Sequence, residues 1–248
     1  MKANALLTSL LLSAGLALSS QAQALQLSFD PAAAGLAGAA FLADSLTGSE
    51  VSVVSNGGPD ASGGNAWREV GYMQITGAAL NGVPAVTSGL GSSYALYLAF
   101  DIYGYQQDAV HPGYSTAANI NLYGVNGPSI FAINAGGAAR LTSSNAAVLL
   151  ATTSNAVMKT YANLVSPPPQ LALDLFADVR ALVQPVVPGF ITGNFSVLGV
   201  HGSFVHPSAG VQILNGGATF VINGGADTLI FAAVPEPASC AMLGLGLL

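Results

Sequence analysis

The chain has 248 residues; 52 % are hydrophobic, only 6 % are charged, and the net charge is −6. Ordinary soluble domains carry about 25 % charged residues, so this surface must be built from Ser, Thr, Asn, Gln, Gly and Ala. Beyond Lys2 the basic residues are Arg68, Arg140, Lys159 and Arg180, which excludes the basic footprint of a nucleic-acid binder and argues against docking on anionic lipid.

Taken in chain order, Lys2, the apolar run over 5–18 and Ser19-Ser20-Gln21-Ala22-Gln23-Ala24 have the form of a secretory signal peptide. Ala22 and Ala24 are its Ala-x-Ala site, and the mature chain is expected to start near Leu25. The organisation read from the sequence is a signal peptide over 1–24, a β-sandwich body over 25–233 and a tail over 234–248. The body is of a size that a single β-domain reaches.

Short alternating runs predict strands at Leu25–Phe29, Glu50–Ser55, Trp67–Thr76, Tyr94–Tyr103, Ala118–Tyr123, Ser129–Asn134, Ala147–Thr153, Phe190–Val200, Val211–Leu214, Ala218–Ile222 and Thr228–Ala233. Leu171–Leu182 has helix-forming composition, but Leu171, Leu173 and Leu175 alternate, so it too is read as a strand. Turns are expected at Asn56-Gly57-Gly58-Pro59, Gly63-Gly64-Asn65, Asn81-Gly82, Asn126-Gly127-Pro128, Gly136-Gly137, Asn215-Gly216-Gly217 and Asn223-Gly224-Gly225. Asn-Gly pairs supply the positive φ that tight hairpins need. The fold expected is all-β, an antiparallel sandwich of jelly-roll-like or barrel-like form. Cys240 is the only cysteine and lies in the tail, so the body has neither a disulfide framework nor a thiolate metal site.

The tail opens with Val234-Pro235-Glu236-Pro237 and continues as an uncharged apolar run to Leu248. Two prolines around Glu236 make a stiff, extended, accessible stem. The run is shorter than the roughly 20 residues of a membrane-spanning helix, and no Lys or Arg follows. This end resembles the PEP-CTERM sorting signal of Gram-negative, exopolysaccharide-making bacteria, in truncated or atypical form. Phe41-Leu-Ala-Asp-Ser-Leu-Thr-Gly48, Leu80-Asn-Gly82, Gly89-Leu-Gly91, Tyr94 to Gly104 and Asn194 to Phe204 resemble, in order, the flocculation-associated PEP-CTERM proteins. The resemblance implies processing by an exosortase, transient association of the tail with the inner membrane, and residence at the cell surface or in the extracellular matrix. It also implies a non-enzymatic role in holding cells together with exopolysaccharide; self-association is an expectation from the low charge density, which removes the self-repulsion that keeps proteins apart. It brings no catalytic residues.

The residues themselves offer little chemistry. Asp101 and Asp108 form no recognisable carboxylate pair, and Asp174 and Asp178 are read as solvated charge. His201 and His206, five apart, fall on opposite faces of a strand, which weakens a shared metal ion. His111 stands alone. No Gly-x-Ser-x-Gly elbow and no phosphate loop is present. No catalytic, cofactor-binding or metal residue is assigned. Tyr72, Tyr94, Tyr97, Tyr103, Tyr105, Tyr114 and Trp67 could stack on sugar rings, but core or strand-edge roles are the favoured reading, and none is assigned as a site. The leading expectation is a structural matrix protein; a lectin-like exopolysaccharide-binding module and a secreted glycan or peptide hydrolase are the alternatives.

Overall fold

The computed structural model describes residues 25–59, 64–107, 111–166 and 172–234. Ala22, Ala24, Pro235, Glu236 and Pro237 lie outside the described residues, as do Asp108 and Leu171. Val234 is the last one described, and its N–H donates to the Val197 carbonyl at 2.9 Å.

The chain forms strands β1 Leu27–Phe29, β2 Phe41–Ala43, β3 Ser45–Pro59, β4 Asn65–Leu80, β5 Val83–Pro84, β6 Tyr94–Gln106, β7 Gly113–Asn126 and β8 Ile130–Ile133. There follow β9 Ala139–Thr142, β10 Val148–Ser166, β11 Ala172–Pro185, β12 Ile191–Gly193, β13 Leu198–His206, β14 Val211–Leu214, β15 Thr219–Asn223 and β16 Ala226–Ala233. The all-β, antiparallel expectation holds, and the ambiguous segment around 172–182 is the strand β11. Among the described residues no helix is long and apolar enough to cross a membrane.

These strands do not build a sandwich. Eight of them close into one antiparallel barrel. The sheet runs β3-β16-β13-β11-β10-β7-β6-β4, and β4 pairs back onto β3. Alternation of apolar and polar residues is the same in a sandwich face and a barrel wall, so the pattern alone does not separate them. Strand length and bulges decide it. β10 has 19 residues and β4 has 16. Register shifts between Ser154 and Val157, Thr47 and Gly48, and Tyr103 and Gly104 add the coiling that closure needs. At the first of these Asn155 takes φ 52.

Two of the expected turns are not turns. Asn56-Gly57-Gly58-Pro59 is the end of β3, and the Asn56 side chain donates to the Gly217 carbonyl at 2.9 Å. Asn223-Gly224-Gly225 does not reverse the chain. β15 pairs with Val51–Ser55 and β16 with Ser45–Gly48, both antiparallel to β3. The two therefore run on along the same partner, and residues 224–225 are the break where one hands over to the other. The expected strand Phe190–Val200 is divided between β12 and β13. Asn81-Gly82 and Asn215-Gly216-Gly217 turn as expected, each asparagine at φ 52.

A three-stranded sheet, β12-β1-β2, packs at the barrel end where β3 begins and β16 finishes. Phe29 is fully buried there, stacked on Phe41 at 5.3 Å and touching Phe190 at 6.1 Å and Phe231 at 5.6 Å. On the outside, the β8–β9 hairpin covers the first half of β6. Phe131 packs on Tyr97 and Tyr72, and Tyr97 stacks on Tyr123 at 5.4 Å. This is why Tyr94 to Leu98 is buried on both faces although it alternates in sequence.

Candidate functional site

The barrel interior is not filled. A cavity of about 560 Å³ runs from the end covered by the three-stranded sheet (Ile191 of β12, with Leu46 and Phe231 of the barrel strands) toward Asn56, Gln106, Thr160 and Leu173 at the other end. Its wall is mostly apolar, with Leu98, Phe100, Ile120, Val179 and Leu229 among the lining side chains. Eight strands are the number at which a barrel can just enclose one small ligand. Trp67 lines the cavity from β4, buried with no hydrogen-bond partner for its Nε1, and its ring lies over Gly104 of β6. A Cβ at Gly104 would stand 2.0 Å from the Trp67 ring, so only glycine admits the indole here.

One side of this apolar wall carries a buried polar cluster: Glu50 and Ser52 from β3, Glu69 from β4, His206 from β13 and Asp227 from β16. Each is at most 5 % exposed. It forms where β15 gives way to β16. The Gly224 N–H donates to the Glu50 carbonyl at 2.7 Å, and the Gly224 carbonyl, at 3.1 Å, accepts from His206 Nδ1–H. Gly225, at φ +140, has no Cβ to strike His206. His206 Nε2 lies 3.3 Å from Glu50 Oε2. Ser52 Oγ bonds Glu50 Oε1 and sits 2.9 Å from Glu69 Oε1. Asp227 has no hydrogen-bond partner at either carboxylate oxygen, a weak approach of the Val205 backbone aside.

Proximity splits the protonation states. Burial pushes the Glu50 carboxyl up, but the His206 and Ser52 hydrogen bonds and the imidazolium charge outweigh it and hold Glu50 below its ordinary value. Burial pulls His206 down, while the bond to Glu50 and its charge carry it up to about 9. Burial and then the Glu50 charge push Glu69 well above the carboxylate range, and the same two causes raise Asp227 to about 7. The cluster is therefore an imidazolium–carboxylate pair beside a Glu69 whose surroundings favour its protonated form. The Glu69 hydroxyl can then donate to Ser52 Oγ while Ser52 donates to Glu50.

The outer wall carries a second feature. Arg68 of β4 forms a two-pronged bond to Asp101 of β6 at 2.8 Å, and its guanidinium lies 5.0 Å from the Tyr103 ring centre. Across β6 and β7, Tyr105 is paired with Tyr114, and Tyr114 with Lys159 of β10. The Lys159 ammonium lies 5.8 Å from the Tyr114 ring and 4.8 Å from Tyr161. Tyr103 is 44 % exposed, Tyr114 50 % and Tyr161 37 %. The result is a band of exposed, cation-braced tyrosines across three neighbouring strands.

No protein-family model, characterised protein or solved structure matches the chain.

The structure sorts the aromatic candidates sharply. Trp67, Tyr94 and Tyr97 are buried, Tyr72 is half-buried under the β8–β9 hairpin, and Tyr103 and Tyr114 face outward. Tyr161, not singled out in the sequence, joins them because β10 extends well past Thr153. His201 is exposed, 3.6 Å from Asp178, whereas His206 points inward, so the two do lie on opposite faces. Asp174 accepts from the Ser208 N–H at 2.8 Å, and Asp44 from the Asn81 N–H at 2.6 Å. Glu50, Glu69 and Asp227 drew no attention in the sequence. The available signal was a carboxylate at an inward position of each of three apolar-facing strands.

Proposed function

We propose that the chain is an exported, non-catalytic protein of the cell surface or extracellular matrix of a Gram-negative bacterium. In this reading an exosortase sorts it, and it promotes floc or biofilm formation together with exopolysaccharide. The observation that carries the reading is the exposed tyrosine band on β6, β7 and β10. Tyrosine offers an apolar face to the C–H side of a sugar ring and a hydroxyl to its edge. Arg68 and Lys159 hold the rings in place, which lowers the entropy lost on contact. Asn119 and Asn121, hydrogen-bonded to each other at 3.0 Å on β7, add neutral polar groups nearby.

The rest of the molecule supports this. The signal-peptide-like start and the Pro235–Pro237 stem supply an export address. Closure of the barrel leaves no free edge within the ring for strand addition, so on the wall formed by β6, β7 and β10 a partner meets side chains. A wall with few charges favours weak contacts that become strong when many copies face one polymer. The same band favours the second reading, a lectin-like module selective for one polysaccharide. Titration of the purified protein with matrix polysaccharides of different composition separates the two.

The test is a deletion strain complemented with the wild-type gene or with Tyr103→Ala/Tyr114→Ala. Clumping should be lost on deletion, restored by wild type and not by the double variant, with polysaccharide output unchanged. Normal clumping in the deletion strain, together with loss of polysaccharide or of a hydrolytic activity, would overturn the proposal. Mass spectrometry of the extracellular protein should find a start near Leu25; an intact Met1 would remove the export argument.

A further inference from the structure

We propose that Glu50, His206 and Asp227 form a binding site for one divalent first-row transition-metal ion in the barrel wall, opening onto the apolar cavity. The three residues come from β3, β13 and β16, each can offer one ligand atom, and these atoms lie within 4.8 Å of one another. All three are buried, at 3 %, 3 % and 1 % exposure.

Three features beyond proximity point to a cation. The first is Asp227. A buried carboxylate met by nothing beyond an approach of the Val205 backbone is costly to keep, and one of its oxygens lies within 4.8 Å of ligand atoms of Glu50 and His206. The second is the orientation of His206. Its Nδ1–H is tied to the Gly224 carbonyl at 3.1 Å, which fixes the ring and turns Nε2 toward Glu50 Oε2 at 3.3 Å. Metal-binding histidines are held this way, one nitrogen on a backbone carbonyl and the other on the ion. The third is charge. Three carboxylates (Glu50, Glu69 and Asp227) share one buried histidine, and two ionised ligands with a neutral imidazole balance a dication. Binding replaces the proton on His206 Nε2, which leaves to solvent.

The donor set chooses the class of ion. One imidazole nitrogen with two carboxylates suits zinc, iron(II) or manganese better than calcium, which takes oxygen ligands alone. Gly225 and Gly71 keep this corner open: a Cβ at Gly225 would lie 2.4 Å from His206 Nδ1, and one at Gly71 would strike Ser52. Glu50 and His206 both line the cavity, so the remaining coordination positions would be filled from that side. Glu69, held through Ser52, is a positioning residue for Glu50.

The probes are Zn2+ and Co2+, added to the full-length exported protein after dialysis against a chelator. The expected result is saturable 1:1 Zn2+ binding by calorimetry, with a Co2+ visible spectrum that Zn2+ abolishes. X-ray absorption at the zinc edge should show a single imidazole among oxygen ligands. His206→Gln and Asp227→Asn should each weaken binding by at least about tenfold, as losing even an outer partner of a metal ligand does; His201→Ala should leave it unchanged. Absence of stoichiometric binding by the wild-type protein would overturn the proposal, whatever the fate of the variants. So would a zinc-edge spectrum without imidazole, or binding that survives His206→Gln and falls with His201→Ala.

Discussion

Raising the pH of the chelator-treated protein from 5 to 9 should destabilise it. The groups concerned face one another from four strands: Glu50 on β3, Glu69 on β4, His206 on β13 and Asp227 on β16. His206 has an ordinary value of 6.5 and reaches about 9 in the fold, through its bond to Glu50 and that carboxylate's charge. Its contribution is therefore fully present below pH 6.5 and lost as the pH rises through 9. A tenfold change in proton affinity is worth about 1.4 kcal/mol, so His206 alone accounts for about 3 kcal/mol. Asp227, raised from 3.8 to about 7, acts in the same direction. The unfolded chain gives up this proton from pH 4 upward while the folded chain keeps it to pH 7, so stability falls across that interval as well. Glu69, also raised, adds to the slope, and Glu50, lowered, opposes it only below pH 4.5. The four groups form one network, so their terms do not add, and about 3 kcal/mol between pH 5 and 9 is the size to look for. In a protein of this length that corresponds to a fall in Tm of about 10 °C. Urea unfolding in excess chelator at pH 5, 7 and 9 measures it, and His206→Gln should flatten the curve between 6.5 and 9. Stability that is level or rising over this range, or a His206→Gln variant with the wild-type slope, would refute the reasoning.

Gly104→Ala places a Cβ 2.0 Å from the Trp67 ring and should destabilise by about 1–3 kcal/mol, as overpacking does; an unchanged urea midpoint would show that the indole moves freely. Phe29→Ala removes a fully buried ring with three aromatic neighbours and should lose about 3–5 kcal/mol, read as a lower Tm with the barrel circular dichroism retained at low temperature. Tyr103→Ala with Tyr114→Ala removes two stacking surfaces of about 0.5–1.5 kcal/mol each; polysaccharide affinity should fall by about tenfold in a pull-down series while the unfolding midpoint stays within ~1 kcal/mol of wild type. Equal affinity in that series would remove the tyrosine band from the proposal.

The local devices of this fold are legible in the residues. Alternating runs such as Tyr94 to Phe100 are strands, Asn81-Gly82 and Asn215-Gly216-Gly217 are turns, and a chain with 6 % charge has a neutral polar wall. The expected strands came out short because Ser, Thr, Asn and Gly at outward positions read as loops when judged locally, whereas in β3, β7 and β10 they are the solvent side of a continuous ladder. Glycines mislead most: Gly224 and Gly225 carry turn chemistry but serve as a break between two strands that share β3 as partner. Closure into a barrel lay outside local pattern altogether, because it depends on β16, near the end of the body, pairing with β3, near its start, after the sheet has gone round through six other strands. The polar cluster follows from closure. Glu50, His206 and Asp227 are unremarkable singly and far apart in the chain; only the registry of β3, β13 and β16 turns all three inward at one level. The sequence by itself determined which residues alternate, where the chain can bend and how little charge it carries, since these are properties of near neighbours. Tertiary structure alone decided the cavity, the buried cluster and the exposed tyrosine band, because each needs side chains from strands that meet only when the sheet closes.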